Sequence, residues 1–157
     1  MQEFPHHYTV SAAGHLNGDV LLQSGRLPVL LTATPAEFGG HGDLWSPEAL
    51  LVGAVADCFI LTFRAIAAAA RTPWKSLECE AIGKLDRVNR VIAFTEFRLR
   101  ATLRVPDGVD VEQARQLLER SEQRCLITAS LKAPVHLDTA VEVVHGESTR
   151  EAATRAR

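Results

Sequence analysis

The sequence predicts an α+β fold. Three observations carry it: a continuous apolar helix pattern over residues 47–70, two period-two strand patterns at 77–86 and 97–105, and an element order of strands, helix, strands, helix, strand. A chain of 157 residues fits one domain, since domains typically run to roughly 100–200. That domain is expected over 1–144, followed by a polar, flexible tail over 145–157. With 46% hydrophobic and 23% charged residues the chain can build a core, which excludes disorder over most of its length. A net charge of −2 offers no basic surface, so neither nucleic acid nor an acidic membrane is an expected partner.

The elements follow in order. Tyr8 to Ala12 and Asp19 to Leu22 read as short strands separated by the turn signal Gly14-His15-Leu16-Asn17-Gly18. Pro28 to Thr34 reads as a third strand, and Gly39-Gly40-His41-Gly42-Asp43 as a loop. Ser46-Pro47-Glu48 then opens a helix. The Ser46 hydroxyl can accept first-turn N–H groups, Pro47 suits the first helical position, and Glu48 meets the positive end of the helix dipole. Continued to Ala70, the helix would be about 37 Å long at about 1.5 Å per residue. Its early turns, from Leu50 to Leu61, are apolar nearly all round, so a sheet and a second subunit are expected to cover it.

Leu77 to Asp86 alternates, with Leu77, Cys79, Ala81 and Leu85 on one face. Phe97, Leu99, Ala101, Leu103 and Val105 alternate with polar residues that include Arg98, Arg100 and Arg104. Val88-Asn89-Arg90 is the expected hairpin connection, and the arginines are expected to face the neighbouring strand's acids. Asp110 can cap a second helix from Val111 to about Arg124. A connector, Leu126 to Ala133, leads to a last strand, Val135 to Val144.

The start Met-Gln-Glu-Phe-Pro-His-His lacks a basic region followed by an apolar stretch, so the expected compartment is the cytoplasm, where thiols stay reduced. The stretch 49–70 could mimic a membrane span, but it carries Asp57 and Arg64, and it is read as a core helix. No metal site is expected: the six histidines show no HxxxH arrangement and there is no CxxC.

Chemistry rests on the cysteines. Three, without close spacing, do not make a disulfide scaffold. Cys79 is explained by its place on an apolar strand face. Cys58 lies in mid-helix with small neighbours, Ala54 and Thr62, four residues to either side, and Cys125 lies at the end of the second helix. Taken singly, each also reads as a packing residue. A reactive Cys58 needs donors or positive charge beside its thiolate, and local spacing identifies none. Glu48 reads equally as a first-turn helix carboxylate or as an orienting group for an active-site cation.

Ser46-Pro47-Glu48-Ala49-Leu50-Leu51, followed by Ala54-Val55-Ala56-Asp57-Cys58-Phe59 and later by Cys125-Leu126-Ile127-Thr128-Ala129-Ser130, resembles the OsmC/Ohr family of osmotically inducible and organic hydroperoxide resistance proteins. The resemblance covers roughly residues 8–144. It implies curved antiparallel sheets wrapping long central helices in an intertwined homodimer. It also implies a thiol peroxidase that reduces organic hydroperoxides to alcohols. Cys58 then matches the peroxidatic cysteine, which passes through a sulfenic acid. Cys125 matches the resolving cysteine of a Cys58–Cys125 disulfide, and Glu48 the glutamate that holds an active-site arginine. No bound cofactor is implied; the reductant is an external dithiol of lipoyl or similar type. The chain departs from the pattern twice. His15 stands where the arginine is expected, with Arg26 a second candidate donor without motif support, and Leu126 replaces a proline after Cys125. The rival reading is a non-enzymatic dimeric module that binds an apolar ligand or acts as a redox sensor.

Overall fold

A computed structural model describes residues 3–145. Six strands and three α-helices run in the order β1 (Ser11–Ala13), β2 (Val20–Gln23), β3 (Leu30–Thr32), α1 (Pro47–Ala70), β4 (Ser76–Val88), β5 (Val91–Pro106), α2 (Val111–Gln123), α3 (Leu126–Ala129) and β6 (Val135–Val144). The expected α+β class holds. By its contacts the chain falls into two compact units, Met1–Leu51 and Val52–Arg157. Apart from His145, the tail over 145–157 lies outside the described residues.

The first unit holds an antiparallel sheet in the order β1-β2-β3. A 3₁₀ turn at Ala36–Phe38, not read from the sequence, follows β3 and ends at Gly39 with φ 87°. Ser46 caps α1 as expected, its Oγ accepting from Ala49 N–H at 3.1 Å.

The second unit holds a sheet in the order β4-β5-β6. The β4–β5 pair is antiparallel and closed by Asn89 and Arg90, both at positive φ. The β5–β6 pair is parallel. The implied all-antiparallel arrangement is therefore corrected: this sheet is mixed. A parallel neighbour needs a long crossover to return the chain to its starting end, and α2 with α3 supplies it.

The central strand β5 buries Phe97, Leu99, Ala101, Leu103 and Val105, the alternation read from the sequence. Its other face is a lattice of ion pairs. Arg100 meets Glu80 on β4 at 3.2 Å, and Arg104 bridges Glu78 on β4 and Glu142 on β6. Arg98 departs from expectation by pairing with Asp138 on β6 and Glu96 on its own strand, because β6 lies alongside it. All lie at the surface, exposed or half-exposed, so salt screens them and they add little to stability. Gly83 is the close approach in β4. A Cβ there would lie 2.7 Å from Phe94 and from Val52 of α1, so glycine lets both side chains cover the strand.

Asp110 caps α2, accepting from Glu112 and Gln113 N–H at 2.8 and 3.0 Å. This helix buries Ala114, Leu117, Leu118 and Ser121. Along α1 the buried residues are Val55, Phe59, Phe63 and Ala67, a stripe of i, i+4 spacing. Phe63 meets Trp74 edge-on at 5.4 Å. The rest of the helix is apolar yet half-buried or exposed; Leu61 is 50% exposed. The helix is long and apolar enough to cross a membrane, with a mean hydropathy of 1.9, but the chain itself covers only one stripe of it.

Candidate functional site

The second unit brings Cys58 and Cys125 together. Cys58 is carried by α1, whose buried stripe holds its neighbour Phe59 against the fold and leaves the sulfur half-buried. Cys125 is fully buried at the junction of α2 and α3. The chain turns sharply there because Cys125 adopts an extended conformation, φ −68° and ψ 119°, before a single helical turn. The Thr128 hydroxyl clips that turn by donating to the Cys125 carbonyl at 3.1 Å.

The two thiols are electrostatically unequal. Burial by itself raises the Cys58 thiol, but hydrogen bonds more than offset it. The Cys125 S–H, the Ile127 N–H, the Thr62 hydroxyl and the Leu126 N–H all donate toward its sulfur, and the net shift is downward. Thr62 Oγ1 lies 3.9 Å from Cys58 Sγ. Cys125 moves upward, chiefly through burial and then because its proton is held by Cys58. Of the two, Cys58 is the more readily ionised. Cys79, half-buried on β4, is pushed to about 11 by burial and by the nearby Cys125 charge.

Sequence reasoning locates both thiols and reads Thr62 only as a small neighbour of Cys58; it identifies none of the donors. Leu126 to Ala133 was read as a connector, whereas its first four residues form α3. Backbone N–H groups carry no side-chain signature, so only the placement of α3 could have disclosed them.

The remaining candidates lie in the first unit. Glu48 Oε2 is buried and has no hydrogen-bond partner. His15, between β1 and β2, and Arg26, between β2 and β3, are both exposed. Among the described residues neither is hydrogen-bonded to the buried Glu48 Oε2. Glu48 lines a pocket of about 520 Å³ whose other walls include Val20, Leu22, Ala33, Phe38 and Leu50. The pocket is apolar apart from that carboxylate and the hydroxyls of Thr32 and Thr34. Among the described residues no cluster of histidine, cysteine and acidic side chains could hold a metal ion.

The family model described as OsmC-like protein matches residues 40–140, a stretch that contains both thiols. The chain belongs to that family. Among its relatives, it is similar to the uncharacterised protein YmaD of Bacillus subtilis, 25% identical over 146 residues that cover 90% of this chain and 97% of that one. It is also similar to peroxiredoxin OsmC of Escherichia coli, 28% identical over 93 residues, which are 59% of this chain and 64% of that protein. Solved structures agree on the fold. An OsmC-like protein of unknown function from Vibrio cholerae superposes with a TM-score of 0.79 at 16% identity, covering 87% of this chain and all of that one. An organic hydroperoxide resistance protein from Elizabethkingia anophelis gives 0.72 at 21% identity, covering 91% of this chain and all of the other. An OsmC-like fold is thus paired in this chain with two facing thiols of opposite poise.

Proposed function

We propose that this OsmC-like protein is a cysteine-based peroxidase for organic hydroperoxides. The observation that carries the reading is the inequality of the facing thiols: a lowered Cys58 beside a raised, hydrogen-bonded Cys125. The Cys58 thiolate attacks the outer oxygen of the hydroperoxide and the O–O bond breaks. The departing alkoxide takes one proton and leaves as the alcohol, and Cys58 becomes a sulfenic acid. The Cys125 proton, held toward Cys58, is in reach of that alkoxide, and its loss readies Cys125 as the next nucleophile. The Cys125 thiolate then attacks the Cys58 sulfur, a disulfide forms, and the S–O bond breaks; the sulfenic oxygen leaves as hydroxide and takes a proton from solvent to become water. An external dithiol restores both thiols through a mixed disulfide and is itself oxidised to a disulfide.

The test is intact mass and peptide mapping after one equivalent of cumene hydroperoxide is added to the fully reduced protein. The expected product is a Cys58–Cys125 disulfide with release of cumyl alcohol. Unchanged thiols after long exposure would overturn the reading.

Glu48 and the first-unit pocket support a second reading, an apolar-ligand module. Saturable binding of an apolar probe, unaffected by Cys58→Ala and without peroxide consumption, would select it.

The working unit is proposed to be a homodimer in the cytoplasm. The support for dimerisation is α1, whose chain covers a single stripe and leaves apolar residues such as Leu61 open. Light scattering is expected to give twice the chain mass; a monomer at micromolar concentration would refute the dimer.

A further inference from the structure

We propose that the first-unit pocket beside Glu48 binds an organic cation, an ammonium head carried on a short apolar chain. The inference rests on the second reading, in which this pocket is a ligand site, and names the head group of the ligand.

Three observations carry it. The first is the Glu48 carboxylate, a wall of the pocket whose Oε2 is buried without a hydrogen-bond partner. A buried carboxylate oxygen with no donor costs free energy, and a ligand that brings the donor removes that cost. The second is the demand of the other polar walls. The Thr32 hydroxyl already donates to the Val20 carbonyl at 3.4 Å, which leaves its oxygen as an acceptor. The Thr34 hydroxyl can turn to accept as well. A carboxylate and two accepting hydroxyls suit an ammonium, which has three N–H donors and no acceptor. Among the described residues no lysine, arginine or histidine lines the pocket, so the positive charge has to arrive with the ligand. The third is the apolar remainder. At about 520 Å³ the pocket falls in the range of about 300–1,000 Å³ typical of small-molecule sites, and Val20, Leu22, Phe38 and Leu50 can cover a chain of several carbons.

The wall that carries Phe38 is built in advance. The Phe38 and Gly40 N–H groups both donate to the Pro35 carbonyl at 3.0 Å. Gly40 lies so close to the chain before it that a Cβ there would fall 1.7 Å from the Thr34 carbonyl oxygen. His41 then ties the loop to Asp19, the residue before β2, at 3.3 Å and to Asp43. Those two carboxylates have a partner in His41, whereas Glu48 Oε2 has none. A wall already in place lowers the ordering cost of binding.

The experiment is calorimetric titration of hexylammonium, 1-hexanol and hexanoate into the reduced protein, with the bound residues located by amide chemical shifts. The probes share a chain and differ in the head group. Hexylammonium is expected to bind with shifts centred on Val20, Leu22 and Phe38. Hexanol should bind at least about tenfold more weakly, and hexanoate more weakly still, because its charge repels the carboxylate. Glu48→Gln keeps the length of the side chain and removes its charge. It is expected to weaken hexylammonium at least about tenfold and to change hexanol by no more than about twofold. Phe38→Ala, at an exposed side chain, should weaken hexylammonium and hexanol alike. Equal affinity for hexylammonium and hexanol, or hexylammonium binding untouched by Glu48→Gln, would overturn the proposal and leave the pocket a site for apolar ligands. Binding of none of the three would remove the ligand site itself. Should Glu48→Gln fail to fold, the order of the three probes on the wild type decides. The thiols enter none of these readouts, so the peroxidase reading stands or falls separately.

Discussion

Cys58→Ser is expected to abolish hydroperoxide reduction, a loss on the order of 10³-fold or more, the scale reached when a covalent nucleophile is removed. The hydroxyl that replaces the thiol is not ionised near neutral pH and cannot accept the peroxide oxygen to form a sulfenic acid. The fold should tolerate the change, because Ala54 and Thr62 flank the position and Thr62 can hydrogen-bond serine as it does cysteine. Cys79→Ser is the matched control. With the Cys79 thiol near 11, only about one part in 10⁴ is thiolate at pH 7, too little to sustain turnover. Peroxide consumption by a coupled dithiol assay is the measurement. Full activity in Cys58→Ser, or loss of activity in Cys79→Ser alone with a preserved melting transition, would sink the assignment of Cys58.

Much of this site was legible from sequence because helix and strand periods fix which side of an element a residue occupies. The Ser46-Pro47-Glu48 start sets the phase of α1, and the apolar pattern carries it to Ala70, the observed end. Cys79 was placed on a covered strand face by alternation alone, and its high pKa follows from that cover. What sequence did not disclose has physical causes. Parallel pairing of β6 with β5 depends on where a long crossover sets the chain down, and no local pattern encodes it. The turn at α3 is four residues long, too short for a hydrophobic period. The cation for Glu48 has no local signature either: the resemblance points to His15, with Arg26 a second candidate donor, and Glu48 Oε2 is buried without a hydrogen-bond partner among the described residues.

The same inequality of thiols constrains how the proposed enzyme is recycled. A reductant can reach only an accessible sulfur, and Cys125 is fully buried while Cys58 is half-buried. Attack at Cys58 expels Cys125, whose raised pKa makes it the poorer leaving group. Access and leaving-group acidity therefore oppose each other, and a reductant that also supplies a proton to Cys125 has the advantage. A dithiol does so more readily than two separate monothiols, because its second thiol is already in place to complete the exchange.

Cys125→Ser isolates the first half of the cycle. Serine keeps an O–H where the Cys125 S–H donates to Cys58, so the thiolate retains most of its support and the first oxidation is expected to proceed. Resolution then fails, since an alcohol does not condense with a sulfenic acid. Cys79 is an ineffective substitute: its thiol is half-buried and sits near 11, so its thiolate is scarce when the sulfenic acid forms. The variant should consume one equivalent of hydroperoxide and stop. With excess peroxide, mass spectrometry should find Cys58 carrying one oxygen, then two and three, because sulfinic and sulfonic acids are not returned by thiols. Cys125→Ala removes the donor as well, so its first step should also be slower near neutral pH, where the thiolate fraction limits the rate. Sustained turnover in Cys125→Ser would remove the resolving role from Cys125, and equal first-step rates in the serine and alanine variants would remove its donor role.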